Sequence, residues 1–420
     1  MERHIDPSLL KGTVKAPSSK SMTQRAIAAA LLADGESTIH NPSYCDDSLA
    51  AMSIAVGLGA RIEPSPDKLI IDGTGELREA KLNCGESGLA IRMFSPIAAL
   101  FPEEIIMTGA NSLRKRPMNM IDEALRQFGV VCQTTDGYLP LSVKGPVKGG
   151  KCEIDGSVSS QLLTGLLMAL PVVSDDSEIK VRNLKSRPYI DMTLQILKDF
   201  GIVIHNDNYS LFRIPGNQKY KPREYTVEGD WSGGAFLLAA GAINGELTVT
   251  GLKQSSRQSD MAILDALKDA GAKLTLNNDI ITIASSKLKA FSFDATHAPD
   301  LFPPLAALAS YCDGVSTIKG VSRLKHKESN RADAISQEFG KIGIEVDIEG
   351  DVMKIKGGQP TGGKVESHED HRIAMAMAIT ALKASGRVFI KDSQSVAKSY
   401  PGFFDDIRSL GAIVHELNKI

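Results

Sequence analysis

Residues 48–63, SLAAMSIAVGLGARIE, read as an amphipathic helix, a glycine just past the helix end, and a strand. The same pattern returns as IDEALRQFGVVCQ, MTLQILKDFGIVIH, AILDALKDAGAKLT, AISQEFGKIGIEV and FFDDIRSLGAIVH. The stop glycines are Gly59, Gly129, Gly201, Gly271, Gly343 and Gly411, separated by 70, 72, 70, 72 and 68 residues. Six units of similar length therefore fill the chain. Each glycine falls where a helix C-terminus takes a left-handed residue, so one backbone rule accounts for every copy.

A second register runs in step with the first. Each unit carries another helix, rich in Ala, Leu and Met: RAIAAALLA, LAIRMFSPIAAL, QLLTGLLMAL, GGAFLLAAGAI, LFPPLAALAS and RIAMAMAITAL. These begin near Lys20, Glu86, Ser160, Trp231, Asp300 and His371. A helix apolar all round is a buried one. Its polar residues gather at the N-terminal end, where unpaired N–H groups and the macrodipole attract anions.

At 420 residues the chain is too long for one ordinary core, and six repeats divide as three plus three. The last unit ends in one strand without a partner, while HIDPSLLKGTVKAP forms an extended segment without a repeat. Pairing head with tail solves both. The expectation is an α/β fold of two similar domains, 19–227 and a discontinuous 1–18 plus 228–420. The chain crosses between them near 17–19 and 227–229, giving a two-strand hinge of the kind that borders substrate clefts. Net charge is −2, so no bulk attraction to nucleic acid is expected. Five scattered cysteines without C-x-x-C or metal spacing fit a reducing compartment. The start MERHIDPSLLKG has no apolar signal core, and no apolar run approaches ~18 residues, so a cytoplasmic protein off the membrane is expected.

The polar residues concentrate at helix starts and the loops feeding them. APSSKSMTQR puts Lys20 and Ser21 at a helix N-terminus, with Arg25 one turn on. A cation there opposes the dipole by ~0.3–1 kcal/mol. EDHRIAM repeats the anomaly with His371 and Arg372, and the two together suggest a bound anion. LRKRPMN offers Arg114, Lys115 and Arg116, which a solvated charged face would equally explain. LKHKESNRADAI sets Lys327 and Arg331 four apart with Glu328 between them, either an anion site or a local salt-bridge net. Lys398 in SVAKSYPG reads alone as a surface lysine. DGSVSSQLLTG carries Ser159, Ser160 and Gln161, more than one N-cap needs. KSRPYID adds Ser186 and Tyr189. Asp300 in HAPDLFPP opens an apolar helix, where an N-cap is the plainer account. The inventory is rich in cations, hydroxyls and helix starts. It has few acids, no metal-ligand cluster, no activated nucleophile, no Walker A sequence and no GxGxxG after a strand. Such a site binds two multiply anionic small molecules and stabilises charge without a covalent adduct. Asp300 and Glu328 are its natural proton carriers.

The set APSSKSMTQR, CGESGLAIR, RKRPM, DGSVSSQ, SRPYID, EGDWSGGA, HAPDLFP, HKESNR, EDHRIAMA and AKSYPGF, in this order and across the whole chain, resembles the 5-enolpyruvylshikimate-3-phosphate synthases, a branch of the enolpyruvyl transferases. The resemblance implies two domains of three βαβαββ-type units, an inside-out α/β barrel arrangement that closes on its substrates. It implies transfer of the enolpyruvyl group of phosphoenolpyruvate to the 5-hydroxyl of shikimate 3-phosphate, on the route to the aromatic amino acids, by a monomer without metal or organic cofactor. By matched motif, Lys20, Ser21, Arg25, Ser159, Ser160, Gln161, Ser186 and Tyr189 would hold shikimate 3-phosphate, with Asp300 and Lys327 at its hydroxyl. Lys20, Gly88, Arg116, Gln161, Arg331, Arg372 and Lys398 would hold phosphoenolpyruvate. Asp300, Lys327, Glu328 and Lys20 would carry the chemistry. The chain departs from the family's Asn-Ala-Gly-Thr stretch with Glu86, Ser87, Gly88 and Leu89. Glu86 must then be turned away, protonated or paired with a cation such as Lys20. Met93, Asn330 and Ser18 are further departures. The sister transferase acting on UDP-N-acetylglucosamine carries Lys-Asn at the first motif and a loop cysteine, against Lys20-Ser21 and no cysteine near 114–117 here. A silent phosphometabolite binder would need the cations but neither Asp300 nor Glu328.

Overall fold

The structure is a computed structural model and describes residues 1–325 and 327–417. Among the described residues, twelve α-helices alternate between two kinds. The buried kind is α1 (Lys20–Leu31), α3 (Gly88–Ala98), α5 (Gln161–Ala169), α7 (Trp231–Asn244), α9 (Phe302–Ala309) and α11 (His371–Ala381). The amphipathic kind is α2 (Asp46–Gly57), α4 (Asn119–Gln127), α6 (Arg187–Asp199), α8 (Ile263–Asp269), α10 (Arg331–Lys341) and α12 (Phe403–Ser409).

All six stop glycines follow the amphipathic helices with positive φ, from 77° at Gly129 and Gly271 to 115° at Gly59. Gly59 donates its amide to Val56 at 3.0 Å and Ala60 donates to Ala55 at 2.9 Å. Val130, Ile202, Ala272, Ile344 and Ala412 donate back to Leu125, Leu197, Leu267, Phe339 and Ile407 in the same way. This is the Schellman end, with an apolar residue after the glycine turned into the core. One local rule is met six times.

Among the described residues, the strands form six four-stranded sheets of one topology. In the sheet of Lys81–Asn83, Glu104–Thr108, Val131–Thr135 and Tyr138–Lys144, the first two strands are parallel, and the fourth lies antiparallel between the second and third. Three sheets complete themselves with distant strands. Glu224–Thr226 pairs parallel with Glu36–His40. Glu2–Asp6 lies antiparallel between Val388–Lys391 and Ile413–Leu417. The N-terminal segment makes a second strand as well, Leu10–Lys15, parallel to Gly245–Thr250 in a different sheet. The break between them begins at Pro7, which has no N–H to continue a ladder.

The chain divides into two compact units, Ser18–Val227 and Met1–Pro17 with Glu228–Ile420. Each has its own apolar core. In the first, α3 and α5 meet backbone to backbone: a Cβ on Gly165 would lie 2.6 Å from the Met93 carbonyl oxygen. That closeness sets their N-termini side by side, which positions the site residues described next. All five cysteines are free and buried. Among the described residues, no helix is long and apolar enough to cross a membrane.

Candidate active site

In the Ser18–Val227 unit the polar residues meet at the starts of α1, α3, α5 and α6. Ser19 caps α1, accepting from the Met22 amide, so Lys20 is the first helical residue. The Lys20 ammonium lies 2.8 Å from Asp47 Oδ2 at the start of α2. The cation that opposes the α1 dipole is thus already met by a carboxylate of the chain. Asp47 itself sits favourably in the first turn of its own helix.

Arg25 is the hub of this unit, with 1 % of its surface exposed. Its guanidinium donates to Thr193 Oγ1 (2.9 Å), the Ser21 carbonyl (2.9 Å), the Tyr189 carbonyl (3.4 Å) and Thr164 Oγ1 (3.5 Å). All four acceptors are neutral. Burial pulls its pKa down to about 10. A buried cation among neutral groups is poised for an anion.

A second basic pair stands at α3. A Cβ on Gly88 would lie 2.7 Å from Arg116 Nη1, 2.9 Å from Arg92 Nη1 and 3.5 Å from Gln161 Oε1. Only a glycine lets those groups crowd the helix start. Arg92 donates to Gln161 Oε1 at 2.9 Å, tying α3 to α5. Arg116 reaches Ser112 Oγ at 3.4 Å. Glu86, which the sequence left as turned away, protonated or paired, accepts from Asn111 Nδ2 (3.1 Å), the Ser112 amide (3.2 Å) and Ser112 Oγ (2.8 Å). It is turned onto the short 3-10 turn that leads to Arg116. Ser159 Oγ accepts from the Gln161 amide, while Ser160, in the cap position, makes no side-chain cap. Ser186 is buried and left-handed at φ 55°, a conformation costing ~1–3 kcal/mol in a non-glycine residue.

In the other unit the site is an ion network. Asp300 is not an N-cap; it sits in the 3-10 turn Pro299–Leu301 ahead of α9. Its Oδ1 accepts from Lys327 Nζ (3.0 Å) and Arg331 Nη1 (2.9 Å), and its Oδ2 from Arg372 Nη2 (3.2 Å). Burial alone would raise the carboxyl, but Arg372, Lys327 and Arg331 outweigh it and hold Asp300 well below the usual carboxylate range. Desolvation lowers the Lys327 ammonium more than Asp300 raises it. Lys327 and Arg331 are not successive turns of one helix. Asn330 is the N-cap, α10 starts at Arg331, and Lys327 reaches Asp300 from the preceding loop.

Arg331 is fully buried and spends its three nitrogens on three carboxylates: Asp370 (2.9 Å), Asp300 (2.9 Å) and Glu328 (2.5 Å). Asp370 also caps α11 through the Arg372 amide at 2.9 Å. Lys398 is buried, not a surface lysine, and donates to the Glu369 carbonyl at 2.7 Å. Asp260, buried beneath Ser232 and Ser259, is pushed up by burial and by Asp300.

Several of these residues lie outside the sequence inventory. Arg92 left a trace, an arginine four residues into an apolar helix. Asp370 stood in the EDHR motif but was read only through its neighbours. Asp47 and Asp260 gave no local signal. The site holds more acids than the cation-rich inventory implied. Among the described residues, the one group with metal-ligand chemistry is His4, Asp6 and His415, and Arg387 already holds both Asp6 oxygens at 2.5 and 3.2 Å.

Two units of repeated βαβαββ sheets, with cations at buried helix starts, place the chain in the enolpyruvyl transferase fold. It aligns over 99% of its length, at 26% identity and a TM-score of 0.83, with all of an EPSP synthase from Acinetobacter baumannii. It also shares the fold of the enolpyruvyl transferase NikO from Streptomyces tendae, at 18% identity and a TM-score of 0.80, with 99% and 98% of the two chains covered. The family description EPSP synthase (3-phosphoshikimate 1-carboxyvinyltransferase) matches residues 5–407, and the chain belongs to that family. Relatives named 3-phosphoshikimate 1-carboxyvinyltransferase include one from Clostridium perfringens, 40% identical over 98% of both chains. Another, from Thermococcus kodakarensis, is 41% identical over 96% of this chain and 98% of its own.

Proposed function

We propose that the protein transfers the enolpyruvyl group of phosphoenolpyruvate to the 5-hydroxyl of shikimate 3-phosphate and releases phosphate. The observation that carries this reading is Arg25, a buried guanidinium with only neutral partners, at the meeting of α1, α5 and α6. A doubly charged phosphomonoester supplies the missing anion. Ser21, Ser159, Ser160, Ser186 and Tyr189 surround that phosphate and its ring, with Lys20 and Gln161 on the side toward the second substrate.

Phosphoenolpyruvate is held by Lys20, Arg116, Gln161, Arg372 and Lys398, with Gly88 leaving room at the Arg92–Arg116 pair. Arg331 reaches it only by exchanging one of its three carboxylates, so its first task is to hold Asp300 and Glu328. Asp300 accepts the hydrogen bond of the 5-hydroxyl as an anion. Three cations make it a weak base, so the proton moves as the carbon–oxygen bond forms. Glu328, with Lys327 beside it, delivers a proton to the methylene of phosphoenolpyruvate. Desolvation of Lys327 acidifies its ammonium and favours that delivery. C2 becomes cationic, the neighbouring carboxylates stabilise it, and the hydroxyl oxygen adds. Glu328, left as a carboxylate by the first step, takes a proton back from the methyl carbon of the tetrahedral adduct as the C2–O bond to phosphate breaks, which restores the double bond and releases phosphate. The test is phosphate release in a mixture of both substrates; release that does not depend on shikimate 3-phosphate would refute the assignment.

A further inference from the structure

Glu338 is a fully buried carboxylate that the proposed chemistry does not use. It stands on α10 seven residues after Arg331, hence on the same face. The two residues grip the segment that feeds α11 at two points. Glu338 Oε2 accepts from the Glu366 amide at 2.8 Å, and Oε1 lies 2.6 Å from His368 Nε2. Arg331 holds Asp370 from the other end at 2.9 Å. Lys341 completes the set at 2.8 and 2.9 Å from the two Glu338 oxygens. A carboxylate only accepts, so the His368 proton is on Nε2 in either charge state.

The two residues between the grips are strained. His368 and Glu369 are consecutive and left-handed, at φ 53° and 57°, and neither is glycine. Such residues persist only where surrounding contacts over-determine them. Their turn aims the Glu369 carbonyl at Lys398 Nζ, 2.7 Å away, and delivers Asp370 to cap α11 at Arg372.

We propose that the Glu338–His368 pair is a latch that sets Lys398 and Arg372 for the anionic substrate, with His368 as its positioning residue. The proposal rests on the assignment of those two cations to phosphoenolpyruvate. Neither latch residue touches substrate; both act through the backbone turn. Losing the His368 contact lets the turn relax toward ordinary φ, and the Glu369 carbonyl moves off Lys398.

The test is steady-state kinetics of His368→Ala, His368→Gln, Glu338→Gln and Lys398→Ala, with thermal melts alongside. His368→Ala raises KM for phosphoenolpyruvate about 10-fold, in the range of supporting contacts to a ligand set, and leaves KM for shikimate 3-phosphate within about twofold. His368→Gln, which keeps an N–H donor, recovers most of the loss. Glu338→Gln, which keeps the shape, gives a smaller rise of the same selectivity and serves if the alanine variant does not fold. An unchanged KM for phosphoenolpyruvate, or an equal rise in both KM values, overturns the latch. If Lys398→Ala itself leaves KM for phosphoenolpyruvate unchanged, the cation assignment falls and the latch with it. If only the latch variants are normal, the assignment stands and the latch alone is wrong.

Discussion

Replacing Arg25 with Met should make the empty protein more stable and leave it unable to bind shikimate 3-phosphate. Burial brings the guanidinium down from its ordinary value to about 10, which corresponds to roughly 3 kcal/mol of unfavourable desolvation. Met fills a similar volume without charge. Little is left unsatisfied: Thr164 and Thr193 bond to each other at 3.0 Å, and Thr193 also donates to the Tyr189 carbonyl at 2.9 Å. Replacing a buried ion by a well-packed apolar group is often neutral or stabilising by ~1–4 kcal/mol. We therefore expect a gain of about 1–3 kcal/mol, read as a melting point higher by about 2–10 °C. Melts with shikimate 3-phosphate invert the order. At a hundred times Kd the wild type gains ~2.7 kcal/mol, and Arg25→Met gains nothing. An empty Arg25→Met that melts below wild type would refute the reasoning, since the charge would then be serving the fold. So would a variant that keeps the ligand-induced shift.

Lys20→Ala, Arg116→Ala and Asp300→Ala should each abolish phosphate release while preserving the circular dichroism of the wild type; normal turnover would remove that residue from the site. Gly88→Ala puts a methyl within 2.7 Å of Arg116 Nη1 and 2.9 Å of Arg92 Nη1, so KM for phosphoenolpyruvate should rise while that for shikimate 3-phosphate stays near wild type. Gly129 has open space around its missing Cβ, so Gly129→Ala costs only backbone strain, about 1–2 kcal/mol by denaturant melts. Gly59→Ala should cost more, because its Cβ would lie 2.7 Å from the carbonyl oxygens of Gly75 and Glu76. The His368–Glu338 pair predicts a pH window. The Glu338 hydrogen bond and charge, helped by the Glu366 carboxylate, outweigh burial and the Lys341 ammonium and raise His368, so that stabilisation is full below 6.5 and fades as pH rises through the raised value. Hydrogen bonds from His368 and Lys341 outweigh burial and lower Glu338, so its share is present above 4.5 and fades as pH falls through the lowered value. The difference in melting point between wild type and His368→Gln should accordingly shrink from pH 6 to pH 9.

The repeat was legible because its punctuation is local: a glycine that must be left-handed writes itself into five or six neighbouring residues. The buried helices were legible from composition alone. The pairing of head with tail was legible too, because the last unit lacks a strand; its register, and the place of Leu10–Lys15 beside Gly245–Thr250, were not. Pro7 marks the break, but nothing nearby says that His4 will face His415 or that Thr13 will face Thr248. In the site, Lys20 and Arg372 announced themselves as cations where helices disfavour them. Their company was harder to see. Asp47 meets Lys20 across 27 residues, and Asp370 meets Arg331 across 39. Such pairs are made by packing, and no short-range pattern encodes them. Lys327 was misplaced for the opposite reason: its spacing from Arg331 mimics a helix that Asn330 begins only afterwards.

The strand Glu2–Asp6 has a consequence for how the chain comes together. Arg3 and Glu416 are bonded 413 positions apart, so the sheet they share is among the most non-local pairings the chain can make. Contacts of that span are the slowest to form. Until both extremities have been made and meet, Val388–Lys391 and Ile413–Leu417 stand as open edges, able to recruit the wrong neighbour. The seam that joins beginning to end is therefore where assembly is most exposed to error.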